Sequence, residues 1–126
     1  MIKVSVRSLV NSIPVMQKLA TTEFRGKVAF QIGRILKRVE EEANLYDSAR
    51  KDLIYKYGET DENGELIVNE NGSCTIKQEF IEDYNKEVNE LLDTEIEINA
   101  ELIDYNDLDG GNFTPQEVMM IESFVQ

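Results

Sequence analysis

Between Phe24 and Tyr57 apolar residues recur at helical spacing over a longer stretch than anywhere else in the chain. Val28, Ile32, Ile35, Val39, Tyr46, Ala49 and Leu53 follow intervals of four and three, interrupted only where Glu42 stands and Ala43 is adjacent. One long amphipathic helix is the reading, and Gly58 is expected to close it in the left-handed conformation that glycine accepts. About 32 residues at 1.5 Å each reach roughly 48 Å. A compact chain of this size has a radius of gyration of only about 14 Å. Either the molecule is elongated or the helix bends, with Gly33 the expected bend.

The remaining elements are arranged around that helix. Met1 to Val6 alternate, with Ile2, Val4 and Val6 on one side, and Glu95 to Asn99 alternate likewise through Ile96 and Ile98. Pairing the two would place Lys3 against an acidic face and join the start of the chain to its last third. Ser8 to Ala20 reads as one or two short helical turns, because Pro14 is tolerable only near a helix start, with Ser12 as the cap. Asn63-Gly64 and Asn71-Gly72 are turn dipeptides. A two-residue hairpin at the second predicts Ile67 opposite Ile76 and Val68 opposite Thr75.

Gln78 to Asp93 is a second amphipathic helix through Ile81, Tyr84, Val88 and Leu91, returning antiparallel to the first. Thr114, Pro115 and Glu117 spell a capping box for a last helix, from Pro115 to about Phe124, with Phe113 and Val118 as a staple. The expected fold is α+β and mostly α: a long antiparallel helical hairpin with a β-hairpin connection, a small sheet pairing the N-terminal strand with residues 95–99, and a short C-terminal helix. At 126 residues this fits a single domain, residues 1–126, able to bury roughly two thirds of its unfolded surface.

Charge divides the chain. Residues 1–58 carry +5, from eleven Lys and Arg against six Asp and Glu, whereas residues 59–126 carry −17, from two against nineteen. Such asymmetry bears on pairing, steering and assembly. No apolar run approaches the ~20 residues of a membrane span. The N-terminus lacks the pattern of a signal peptide, so action inside a cell and away from membranes is expected.

Equipment for chemistry is sparse. There is no histidine, and Cys74 is the only cysteine, which excludes an intrachain disulfide and multi-cysteine metal sites. A lone cysteine of this kind usually fills a small core position. Asp104, Asp107, Asp109 and Gly110, followed by Glu117, resemble a calcium loop. Aligned on the twelve-residue EF-hand, however, Tyr105 falls at position one and Gln116 at twelve, so both ends fail. With no phosphate-cradling glycine loop and no carboxylate pair set beside a base, an enzyme is not expected, nor a cofactor or metal.

Two charged sets remain. Arg25, Lys27, Arg34, Lys37 and Arg38 lie in a stretch without acids, and Lys27, Arg34 and Arg38 share a helix face. Direct nucleic-acid binding by this set is disfavoured, because the rest of so small a domain repels phosphate at long range. Pairing with the acidic half, or simply solvating the helix, is the simpler use. Glu79, Glu82 or Asp83, Glu87 and Glu90 recur about once per turn and could imitate the phosphate row of a nucleic acid.

Lys27-Val28-Ala29-Phe30-Gln31-Ile32 comes first in an ordered set that continues from Glu40 through Tyr46, Ala49 and Arg50 to Tyr57-Gly58. The Asp61-Glu62-Asn63-Gly64 turn, Asn71-Gly72 and the closing Thr114-Pro115-x-Glu117 complete it. As a set these resemble a family of small proteins of unknown function encoded by tailed bacteriophages and prophages of Gram-positive bacteria. The resemblance implies a phage origin and a stand-alone domain, and carries no catalytic residues. The expectation is a non-enzymatic protein acting through contacts with a phage or host protein, as a virion component or assembly factor, with homo-oligomerisation open. It would reside in the host cytoplasm or the virion. The alternative is an acidic, nucleic-acid-mimicking inhibitor of a host defence or transcription protein.

Overall fold

The computed structural model describes the backbone throughout and every side chain outside residues 109 and 110. Along the chain run β1 (Ile2–Ser5), α1 (Val6–Thr21), α2 (Gly26–Tyr57), α3 (Ile81–Leu92), β2 (Glu95–Ile98) and α4 (Pro115–Met120). Short 3-10 turns lie at Gln78–Phe80 and Glu122–Phe124. The fold is α+β and mostly α, with two compact units, Met1–Ala43 with Asp93–Gln126, and Asn44–Leu92. The long helix α2 contributes to both, unbroken through Gly33.

In the first unit, β1 and β2 pair antiparallel with Ile2 opposite Ile98, Lys3 opposite Glu97 and Val4 opposite Ile96. The alternation therefore sends the isoleucines and Val4 into the core and leaves Lys3 and Glu97 outside, their charges 3.8 Å apart. Val6 is not a strand residue; it opens α1, its N–H donating to the Thr94 carbonyl at 2.9 Å. The core gathers Ile2, Val4, Leu9, Val15, Met16, Leu19, Ile32, Ile35, Val39, Ile98, Ile103, Leu108, Ile121 and Phe124. Each such side chain, fully buried, is worth about 1.5–3 kcal/mol.

The short turns expected at Ser8 to Ala20 are instead one 16-residue helix with Pro14 inside it. Ser5, not Ser12, is the cap, its Oγ accepting the Ser8 N–H at 3.1 Å. Ser12 is fully buried and donates to the Leu9 carbonyl at 2.6 Å. Proline within a helix costs about 3 kcal/mol through the lost hydrogen bond and the ring clash. Pro14 faces solvent, and Val6 and Leu9 before it and Val15, Met16 and Leu19 after it are all buried, so packing on both sides holds the helix through the break.

The C-terminal helix is also shorter than expected. Its capping box is complete, Thr114 accepting the Glu117 N–H and Glu117 accepting the Thr114 N–H. It stops at Met120 because the chain turns to bury Phe124 and to bridge Val125 with Ile103 in parallel. The Ile103 N–H donates to the Phe124 carbonyl at 2.8 Å, and the Gln126 N–H returns to the Ile103 carbonyl at 2.9 Å.

The second unit is hairpin-like: the last turns of α2, a bridged connection, then α3. Isolated bridges join Thr60 with Leu66, Val68 with Cys74 and Gly58 with Ile76. The expected register is corrected by one residue, since Val68 meets Cys74 and not Thr75, and Ile76 meets Gly58 and not Ile67. A two-residue type I′ turn needs φ above zero at both Asn71 and Gly72, and only Gly72, at 82°, has it. The loop is three residues long, closed by Asn69 N–H to the Ser73 carbonyl at 2.7 Å and Gly72 N–H to the Asn69 carbonyl at 2.9 Å. Asp61 to Glu65 repeats the device with Gly64 at 79°.

Gly58 does end α2, but without a positive φ. Its requirement is space, since a Cβ there would overlap the Leu66 side chain and lie 2.5 Å from the Ile54 carbonyl oxygen. Tyr57 and Phe80 hold the two ends of the connection together, ring centroids 5.5 Å apart.

Candidate functional site

Of the charged residues singled out by sequence, the basic set of α2 forms a coherent surface. Thr22 and Arg25 bracket the entry to the helix, the Arg25 carbonyl accepting the Ala29 N–H at 2.8 Å. The stripe of Val28, Ile32, Ile35 and Val39 turns inward. Helical periodicity then places Lys27, Arg34 and Lys37 on the outer side, where all three are exposed, with Arg25 exposed beside them. Among the described residues none of these four cations has an ion pair within 4 Å.

The fifth member behaves differently. Arg38 bonds to Glu41 and Glu42, both at 3.0 Å, and so belongs to the helix's own surface chemistry. Arg38 thus pairs within its own half of the chain and not with the acidic half. Elsewhere acidic partners serve other cations: Lys3 takes Glu97, Arg7 takes Asp93 at 3.2 Å, and Lys18 takes Glu117 at 2.9 Å.

Phe30 is the exposed aromatic of this face that charge reasoning passed over. It is 70% exposed, and the Arg34 guanidinium lies 5.7 Å from its ring centroid. Lys27, Phe30, Arg34 and Lys37 follow intervals of three, four and three, one helix face with an aromatic among cations. The signal was available, because Phe30 falls two residues from both Val28 and Ile32 and so cannot lie on their stripe.

The members of the acidic set differ in exposure and in partners. Glu79, Glu82 and Glu90 are exposed, whereas Glu87 is half-buried, 3.5 Å from the Lys56 ammonium. Lys56 is held above its ordinary value, first by hydrogen bonding to Tyr57 and then by the Glu87 charge. Lys86, exposed four residues from both Glu82 and Glu90, sets a cation within the outer face.

A third cluster closes α4 onto α1. Lys18 reaches the Glu117 carboxylate and the Asn112 carbonyl, with its ammonium 4.7 Å from the Phe113 ring. The Lys18 hydrogen bond, followed by the Thr114 N–H, holds the Glu117 carboxyl below the ordinary glutamate range. Glu117 is a cap and an anchor here. Asp104 likewise serves its own backbone, accepting the Asn106 N–H at 2.9 Å. In the calcium-like segment the side chains at 109 and 110 lie outside what the structure describes. Among those described, no group of three acidic or sulfur ligands is placed to hold a metal ion, and no helix is long and apolar enough to cross a membrane. Cys74 is half-buried beside the Val68 bridge.

Comparison of the chain with protein-family models, with curated proteins and with solved structures found no match.

Proposed function

We propose that this chain works through contact with another protein, made by the outer face of α2 between Arg25 and Lys37, and that it catalyses no reaction. The observation that supports the reading is Phe30, exposed and stacked with Arg34 among cations that have no ion pair among the described residues. Aromatic residues and arginine are the side chains on which protein interfaces most often concentrate their affinity. The partner's contacting surface is acidic protein and not nucleic acid, because a chain of net charge −12 repels phosphate polymers at long range while a local acidic patch meets only the α2 face. The resemblance to small phage proteins adds the setting, which we assign to the phage particle or its assembly.

The test replaces Phe30 with a photo-crosslinking phenylalanine analogue in cells that carry the gene. Discrete protein adducts, lost when Arg34→Glu and Lys37→Glu are added, are expected. Labelling confined to nucleic acid, or no adduct at all, would overturn the reading.

A further inference from the structure

The basic face of α2 lies next to an acidic one in the same unit. Residues 93–126 hold nine Asp and Glu and no Lys or Arg. The segment from Glu101 to Asp107 is fastened to α2 by Gln31, whose Nε2 donates to the Leu102 carbonyl at 2.9 Å and the Glu101 carbonyl at 3.4 Å. Nearer the start of α2, Arg25 and Val28 share a surface depression with Asn106 and Asp107. Gln31 is one turn from both Lys27 and Arg34, so the two charge sets adjoin.

Despite that proximity, Glu101, Asp104 and Asp107 form no ion pair with Arg25, Lys27, Arg34 or Lys37 in their own chain. Each side also exposes one large aromatic, Phe30 at 70% on the basic face and Tyr105 at 57% on the acidic segment. A surface with adjoining positive and negative halves, with no ion pair between these named residues and an aromatic on each side, is complementary to itself after a two-fold rotation.

We propose that a second copy of this chain is the partner: α2 of one copy docks on Glu101, Tyr105 and Asp107 of the other, and reciprocally. The pairing is isologous, the commonest form of closed assembly, and satisfies both charge sets twice. This rests on the reading of α2 as a protein-contact face.

Charge exchange between two variants tests it by sedimentation velocity on the purified chain. Wild type is expected to form a dimer that weakens as salt rises. Lys27→Glu with Arg34→Glu and Lys37→Glu, or Glu101→Lys with Asp107→Lys, should each raise the dimer dissociation constant by about tenfold or more. Mixing the two variants should restore the dimer, since each then offers the other an opposite charge on both sides. If a variant loses its helical circular dichroism, Phe30→Ala with Tyr105→Ala changes no charge and should weaken the dimer likewise. A mixture that stays monomeric would overturn the proposal. So would a monomeric wild type whose Phe30 crosslink captures only a different protein, a result that leaves the contact reading standing. A monomeric wild type with no protein crosslink would remove both.

Discussion

Val39 and Tyr46 stand two turns apart on the same stripe of the same helix, yet Val39 is 4% exposed in a packed core while Tyr46 is only half-buried. The contrast extends through both units. In the first, side chains of α2, α1, the two-stranded sheet and the C-terminal turn belong to one cluster of fourteen. In the second, only Tyr57 among the hydrophobic residues is buried, and Ile67, Val68 and Ile81 are exposed. The α3 stripe of Tyr84, Val88 and Leu91 stays half-buried throughout. A periodic stripe commits a segment to helix, but the depth of burial depends on how many elements arrive to cover it. Isolated bridges and a twelve-residue helix cover less than four elements do. The better packed unit is also the one that displays the cations and Phe30, which gives that face a firm support.

The largest expected effect bears directly on this difference. Phe124→Ala removes a ring at 0% exposure and should cost about 3–5 kcal/mol. Val88→Ala, in the half-covered unit, should cost about 1 kcal/mol. Both are read from the shift of the urea midpoint. Equal losses would break the comparison.

A smaller effect concerns how the first unit fastens its last helix. Glu117 is held below its ordinary value, so the folded chain binds its proton more weakly than the unfolded chain. The stability this contributes is complete above the unfolded value and lost as pH falls through the folded one. Glu117→Gln should therefore lower the melting temperature at neutral pH, and the deficit should shrink as acid protonates wild type. Lys18→Gln should behave the same way, because the Lys18 hydrogen bond is the main cause of the shift. A deficit independent of pH would detach the cap from the ion pair.

How much of this was legible in sequence follows the range of the interactions involved. The β1 to β2 pairing, α2 and the Thr114 to Glu117 capping box are written in local alternation, periodicity and cap chemistry, and the fold has them where those patterns fall. Pro14 misled because a local rule met a tertiary override: buried residues on both sides of the break outweigh it. The hairpin register turned on whether Asn71 adopts a positive φ, which the Asn-Gly pair alone does not decide. Gly58 looked like a left-handed stop, but its need arises from Leu66, which only the returning chain supplies.

At the candidate site the same division holds. Sequence supplied the cations but not their occupancy. That Arg38 is held by Glu41 and Glu42, and Glu87 by Lys56, while Lys27, Arg34 and Lys37 are not, depends on rotamers and neighbours.

The smallest expected change in stability is the most telling, because the account holds that these three cations serve a partner and not the fold. Lys27→Gln, Arg34→Gln and Lys37→Gln together remove exposed charges that have no ion pair among the described residues, and should shift stability by no more than about 0.5 kcal/mol. The measurement is the thermal midpoint of the triple variant set beside its Phe30 crosslink. An unchanged midpoint with the crosslink abolished is the expected result. A midpoint that falls as far as that of Phe124→Ala, or a crosslink that survives the loss of all three charges, would contradict the account.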